Sequence, residues 1–154
     1  MKPGSGPLWT ARAIALAGFL DAMYLTASHY AGSALACGPG GGCDIVTASR
    51  YATVGDVPIA AIGLGYYVLV NLLVWTPAAS LGRGATALLL GITGAATAVS
   101  GVLVYLQAAV IHAWCQFCLL SAAITLGLFL CAVLLFRDVR LRATLAEAEP
   151  GRIG

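Results

Sequence analysis

The sequence predicts an all-α integral membrane protein, a four-transmembrane-helix bundle with a short interfacial helix after the first outer loop. Three observations predict it. Only 9% of the 154 residues are charged and 60% are apolar, whereas ordinary soluble domains carry roughly 25% charge. The apolar residues gather into runs near 12–31, 58–76, 85–111 and 113–136, and a hydrocarbon core about 30 Å thick needs roughly 20 apolar residues per helical span. Gly, Pro, Ser and charged residues concentrate between those runs, where loops belong.

The first span runs from Arg12 to Tyr30 and is apolar nearly all round except for Asp21. A cleaved leader would have a shorter apolar core, and a lipobox would place Leu where Ala34 stands, three residues before Cys37. Residues 1–11 are therefore expected to be a short N-terminal segment and 12–31 a retained span. The outer loop, 32–57, begins with a stretch from Gly32 to Cys43 too rich in glycine for a helix, since each Gly costs about 1 kcal/mol against Ala. A mobile loop is expected there. Ile45, Ala48 and Ala52 then recur at helical spacing after Asp44, which predicts the short interfacial helix.

Gly55 and Asp56 make a turn, and Pro58 suits the first turn of the second span, where its missing N–H does no harm. Gly63 and Gly65 in span two, and Gly91, Gly94 and Gly101 with Ala95 and Ser100 in span three, are the small residues expected where membrane helices pack closely. From Arg137 the chain alternates Arg with apolar residues before Glu149-Pro150-Gly151. Residues 137–154 are expected to form a tail on the inner surface.

Of the eight Lys and Arg residues, Lys2, Arg12, Arg83, Arg137, Arg140, Arg142 and Arg152 fall on one side of this topology, and Arg50 on the other. The positive-inside rule then makes both termini cytoplasmic and turns 32–57 and 111–115 outward. In a bacterial inner membrane, outward is the oxidising side. The net charge of +2, with no basic patch interleaved with aromatics, excludes nucleic acid as a partner; the bilayer is the surface this chain meets.

Four of the five cysteines lie at that outer side: Cys37 and Cys43 in the loop, Cys115 and Cys118 at the start of the last span. Thiols at i and i+3 share a helix face and can close a disulfide, and a helix N-terminus stabilises the thiolate. At 1.5 Å per residue Cys118 lies about 4.5 Å deeper than Cys115, so it faces the interior from which a lipid-soluble quinone would come. Cys115 stays within reach of the loop, where Cys43 is the better placed to exchange with it, leaving Cys37 for a soluble partner. A structural disulfide or a Cys-ligand metal or small-solute site are the alternatives. A five-residue loop of four glycines and one proline is a poor place for a staple, and its spacing is too wide for paired zinc ligands. No metal is expected. Cys131, alone in mid-span, reads as a packing residue.

Several motifs together resemble the vitamin K epoxide reductase family: two loop cysteines followed by Ser49-Arg50-Tyr51, Gly55-x-x-Pro58 leading into the next span, Gly63 with Tyr67, and Cys115-x-x-Cys118 opening the last span. The resemblance covers residues 12–136. It implies a four-helix bundle around a quinone, such as menaquinone or ubiquinone, with Cys118 attacking the quinone. Cys37–Cys43 and Cys115–Cys118 would be the redox disulfides, with Cys43–Cys115 as the exchange intermediate. Many bacterial members carry a fused thioredoxin-like domain that this chain lacks, so a separate thioredoxin-like thiol oxidase is the expected partner. Animal members resemble one another in an Asn and a Tyr where this chain has Ile59 and Ala122, which favours quinone over epoxide as substrate. Disulfide-bond formation protein B, also four spans with two cysteine pairs, places its CxxC in the first outer loop, and the cysteine order here differs.

Ser49, Tyr67 and Phe117 join Cys118 as expected lining of a quinone pocket, Ser49 through the resemblance and the two aromatics by position. Asp21 costs about 3 kcal/mol in mid-membrane unless paired, and hydrogen bonding within the bundle or a protonated carboxyl is its expected state, ahead of a role in proton transfer. His29 and His112 are read as solvated interfacial residues. Trp114, Tyr30 and Tyr51 fall where aromatic belts form.

Overall fold

The computed structural model describes residues 5–38, 41–77 and 82–148. Lys2, Arg152, Pro39, Gly40 and the Glu149-Pro150-Gly151 end of the tail lie outside them. The chain is mostly helical: α1 (Ser5–Ala31), α2 (Cys43–Thr47), α3 (Ile59–Val74), α4 (Arg83–Leu106) and α5 (Gln116–Ala148). Among the described residues three helices are long and apolar enough to cross a membrane, starting at Gly6, Arg83 and Gln116; this is a multi-pass membrane protein. The apolar α3 has only 16 residues, about 24 Å of helix.

The element bounds depart from expectation in places with clear local causes. The last span's helix begins at Gln116, three residues later than its apolar run, because α4 ends in a π-helical turn, Gln107–Ile111, closed by His112 in the left-handed region at φ 53°. That conformation is uncommon for a residue with a Cβ. The tail does not separate from the last helix, since α5 continues unbroken to Ala148 with an Asp138–Arg142 ion pair at i,i+4 on its exposed side. The helix after the glycine loop covers only Cys43–Thr47. A small antiparallel pairing that the sequence reading lacked, β1 (Thr53–Val54) with β2 (Val57–Pro58), follows it and turns at Gly55, φ +62°. Pro58 ends this pairing with extended backbone and caps α3 instead of entering its first turn.

Helix α1 packs against α3 and α5, and α4 packs against α5. The larger core, at the end of the bundle away from the cysteines and through its middle, is built on Ala11, Ala15, Tyr67, Val70, Leu89, Leu128 and Ala132. Close approach of α1 and α3 depends on Gly18, where a side chain would run into the Tyr67 ring. Gly94 and Gly127 lie against Phe129 and Ile14, but Gly63, Gly65, Gly91 and Gly101 have no such neighbours. They are not the close-packing positions that composition suggested. Polar side chains tie the helices where apolar contact has no direction: Asn71 Nδ2 donates to the Ala15 carbonyl at 3.1 Å, and Arg12 donates to the Val74 and Thr76 carbonyls at the end of α3. Arg12 also lies over the rings of Trp9 and Trp75. Leu16, Leu20, Leu72, Val99, Leu130 and Leu134 face outward, as apolar surface does where lipid is the solvent.

Candidate functional site

The second core brings the cysteines together. Cys43 and Cys115 are fully buried in one cluster with Leu25, Leu35, Val46 and Ala113, and Cys37, Phe117 and Cys118 pack against it. Four segments converge there, and each is held by an identifiable contact. Helix α1 ends in a Schellman motif: Gly32, in the left-handed region, and Ser33 donate back to the carbonyls of His29 and Ser28. The loop is then tied down by Tyr24, whose hydroxyl accepts from the Ala36 amide, and by Asp44, whose carboxylate accepts from the Leu35 amide. Asp44, in the first turn of α2 as expected, thus also pins the loop.

Cys37 and Cys43 form a disulfide with their Cα atoms 6.3 Å apart. The adjoining Gly42 amide donates to the Trp114 carbonyl at 2.9 Å. Gly42 has to be glycine there, because a Cβ would come within 2.7 Å of the Ala113 methyl. The glycine loop is therefore docked directly on the segment that carries Cys115.

Cys115 and Cys118 are free thiols. Cys115 stands just before α5, and its carbonyl accepts the first helical hydrogen bond, from Leu119. Its own amide, buried, donates to the side-chain oxygen of Gln107 at 2.8 Å. Its sulfur accepts from the Cys118 amide at 3.4 Å. The Cys118 thiol's hydrogen bond, followed by the backbone amides of Cys118 and Phe117, pulls the Cys115 thiol down to about 7 against the opposing effect of burial. Of the two free thiols at this end, Cys115 is thus the one that gives up its proton more readily.

Beside the cluster lies a cavity of about 320 Å³, within the size range of small-molecule sites. Its wall includes Leu25, Leu35 and Val46 on the loop side, Ser49, Tyr51, Ile59, Tyr66 and Tyr67, then Leu103 from α4 with Gln107 and Ile111 from the π-helical turn, and Cys118, Ser121 and Thr125 from α5. Of the expected lining residues, Ser49, Tyr67 and Cys118 border it; the Phe117 ring instead stacks on Tyr24, 5.1 Å between centroids. Tyr67 is held by three oxygens, its hydroxyl lying 3.1 Å from the Ser121 carbonyl, 3.0 Å from Ser121 Oγ and 3.1 Å from Thr125 Oγ1. Ser49 Oγ donates to the Val46 carbonyl, and the exposed Arg50 pairs with the Tyr51 hydroxyl.

Sequence reasoning passed over Gln107 and Tyr66. Gln107 was visible as the only amide in span three, and a polar side chain in an apolar run is a signal in itself. Tyr66 had no such signal, because Tyr66 and Tyr67 are adjacent and nothing local says which hydroxyl is bonded. The Tyr66 hydroxyl is buried without a partner. Cys131 lies in the larger core, away from the other cysteines. Among the described residues no three His, Cys, Asp or Glu side chains gather as a metal site.

The model of the vitamin K epoxide reductase family matches residues 9–133, and the chain belongs to that family. It is also 34% identical, over 135 residues, to thiol-disulfide oxidoreductase LTO1 of Arabidopsis thaliana. The match takes in 80% of this chain but 34% of that relative, so the chain spans about a third of its length.

Proposed function

We propose that this chain is a four-span membrane thiol–disulfide oxidoreductase that takes electrons from a separate thioredoxin-like thiol protein and passes them to a membrane quinone, so that the partner can form disulfides in its clients. The observation that carries this reading is that Cys43 and Cys115 share one buried cluster while Cys118 borders an apolar cavity. Family membership and the name of the Arabidopsis relative support the same chemistry.

Exchange along this line balances. A partner dithiol reduces Cys37–Cys43 and leaves as a disulfide. The Cys43 thiolate attacks Cys115 of a Cys115–Cys118 disulfide, forming Cys43–Cys115 and releasing the Cys118 thiolate. Cys37 then attacks Cys43, restores the loop disulfide and frees Cys115. Two electrons have moved inward, leaving the loop disulfide closed and Cys115 and Cys118 as thiols. The low affinity of Cys115 for its proton makes it a good leaving group in the second exchange.

A bound quinone supplies a two-electron, two-proton acceptor. The cavity fits one: its walls are mostly apolar, Cys118 borders it, and the unpartnered Tyr66 hydroxyl offers a donor to a carbonyl oxygen. Electrons leave from Cys118, and Cys115 closes the disulfide behind it. We count α3 as a span although it is short, because Arg12 of α1 holds its far end and Ala60 at its near end packs in the cysteine cluster; the bilayer accommodates such a mismatch at modest cost. Arg12, Arg83 and Arg137 lie away from the cysteine end, which argues for cytoplasmic termini and outward-facing cysteines.

The test is quinone-dependent oxidation of a reduced thioredoxin-like protein by purified wild type and single-cysteine variants. Alanine at Cys37, Cys43, Cys115 or Cys118 is expected to abolish turnover, and Cys131→Ala to retain it. Undiminished turnover by Cys118→Ala defeats this function.

A further inference from the structure

Polar side chains inside the bundle are nearly all bonded. Gln107, Asn71, Tyr67 and the buried threonines each have a partner. Among the described residues the exceptions are Tyr66, whose hydroxyl borders the cavity, and both carboxyl oxygens of Asp21. Asp21 is only 8% exposed. With no partner at full hydrogen-bonding distance, the carboxyl contributes little to holding the helices together.

Its surroundings suggest another role. Gly18, Asp21 and Leu25 form one stripe of α1, at i, i+3 and i+7. Gly18 lies against the Tyr67 ring, and Leu25 packs with Cys43 and Cys115. The carboxyl therefore stands between Tyr67 and the dithiol. The Ser121 hydroxyl is the polar group beside it, and Tyr67, Cys115 and Cys118 are the titratable groups in its vicinity. Ser121 Oγ is 3.0 Å from the Tyr67 hydroxyl, and Ser121, Tyr67 and Cys118 all border the cavity. The titratable groups facing Asp21 are Tyr67 from α3, Cys118 from α5 and Cys115 just ahead of it.

We propose that Asp21 carries the proton of the Cys118 thiol toward the cavity by way of Ser121 and Tyr67. The inference rests on the quinone-reducing reading. In that reaction two S–H bonds break and one S–S bond forms, and the acceptor gains two electrons and two protons. Asp21 gives a proton to the Ser121–Tyr67 chain, recovers one from Cys118 and ends as it began, and the proton lost by Cys115 makes up the acceptor's second. Cys118 borders the cavity, and a carboxyl in its vicinity supplies a path for its proton.

Two measurements on the full-length purified protein test it. Infrared difference spectra between the chemically reduced and oxidised dithiol, taken without quinone, are expected to show a protonated-carboxyl band that shifts in heavy water. The band should vanish in Asp21→Asn and move in Asp21→Glu. Single-turnover oxidation of the dithiol by a short-chain benzoquinone and a naphthoquinone is expected to slow about 10²-fold in Asp21→Asn, with a flattened pH profile, and to recover in part in Asp21→Glu. Asp21→Asn should melt no lower than wild type, because it removes an unpartnered acid without changing shape. A wild-type pH profile in Asp21→Asn, or a difference spectrum with no Asp21 band, overturns the proposal. If wild type reduces neither quinone, the quinone reading fails by itself, and the infrared band still decides the role of Asp21.

Discussion

The buried amide of Cys115 donates to the side-chain oxygen of Gln107 at 2.8 Å, so a residue in the π-helical turn that ends α4 holds the thiol that opens α5. The Gln107 carbonyl accepts from the Ala113 amide as well, and one residue thus sets both ends of the linking segment. Gln107→Leu leaves a buried N–H without an acceptor, a loss of about 1–3 kcal/mol. Thermal melting of the reduced protein in detergent should show it. Gln107→Glu, which keeps an acceptor oxygen of the same reach, is expected to melt closer to wild type.

The Cys115 thiol is held near 7 chiefly by its neighbour Cys118. Below that pH it is protonated and inert, and above it the thiolate is present. Removing the neighbour in Cys118→Ala takes away the largest lowering effect while burial persists, so the ionisation moves upward toward the ordinary thiol range. Thiolate absorbance titrated against a Cys115→Ala, Cys118→Ala background measures the shift directly. An unchanged midpoint would mean that the backbone amides alone set this thiol.

Gly42 is the contact by which the loop reaches Cys115. Gly42→Ala places a methyl against Ala113, which must lift the loop away from Trp114. A displacement on the order of 1 Å can cost about 10²-fold in rate, and the rate of exchange between the two cysteine pairs, followed by trapping thiols at intervals, should fall on that scale. Gly38→Ala meets only the Gln116 side chain, at 3.6 Å, and should exchange at the wild-type rate.

Gly18→Ala tests the α1–α3 contact. The new methyl falls on the Tyr67 ring, and overpacking of this kind costs about 1–3 kcal/mol. A lower melting temperature is expected, together with slower dithiol oxidation as Tyr67 shifts away from Ser121. Gly63→Ala, with open space around it, should change neither.

The membrane class, the helical runs and the delivery of two cysteine pairs to one end could be read from the chain alone. Length and hydropathy of a run are local properties, and a lipid-spanning segment has few alternatives to a helix once its backbone must satisfy itself. The spacing of Cys115 and Cys118 likewise fixes their shared helix face. What no local pattern could decide was which small residue two helices press together, which of two adjacent tyrosines is bonded, and where α4 gives way to a π turn. Gly18 and not Gly63 is the close contact because α1 meets α3 at the height of Tyr67, 49 residues further along the chain. Asp21 lacks a partner, and Gln107 has one, for the same reason: in an apolar bundle the partner of a polar group is supplied by another helix, and only the packing says which atoms arrive within hydrogen-bonding distance.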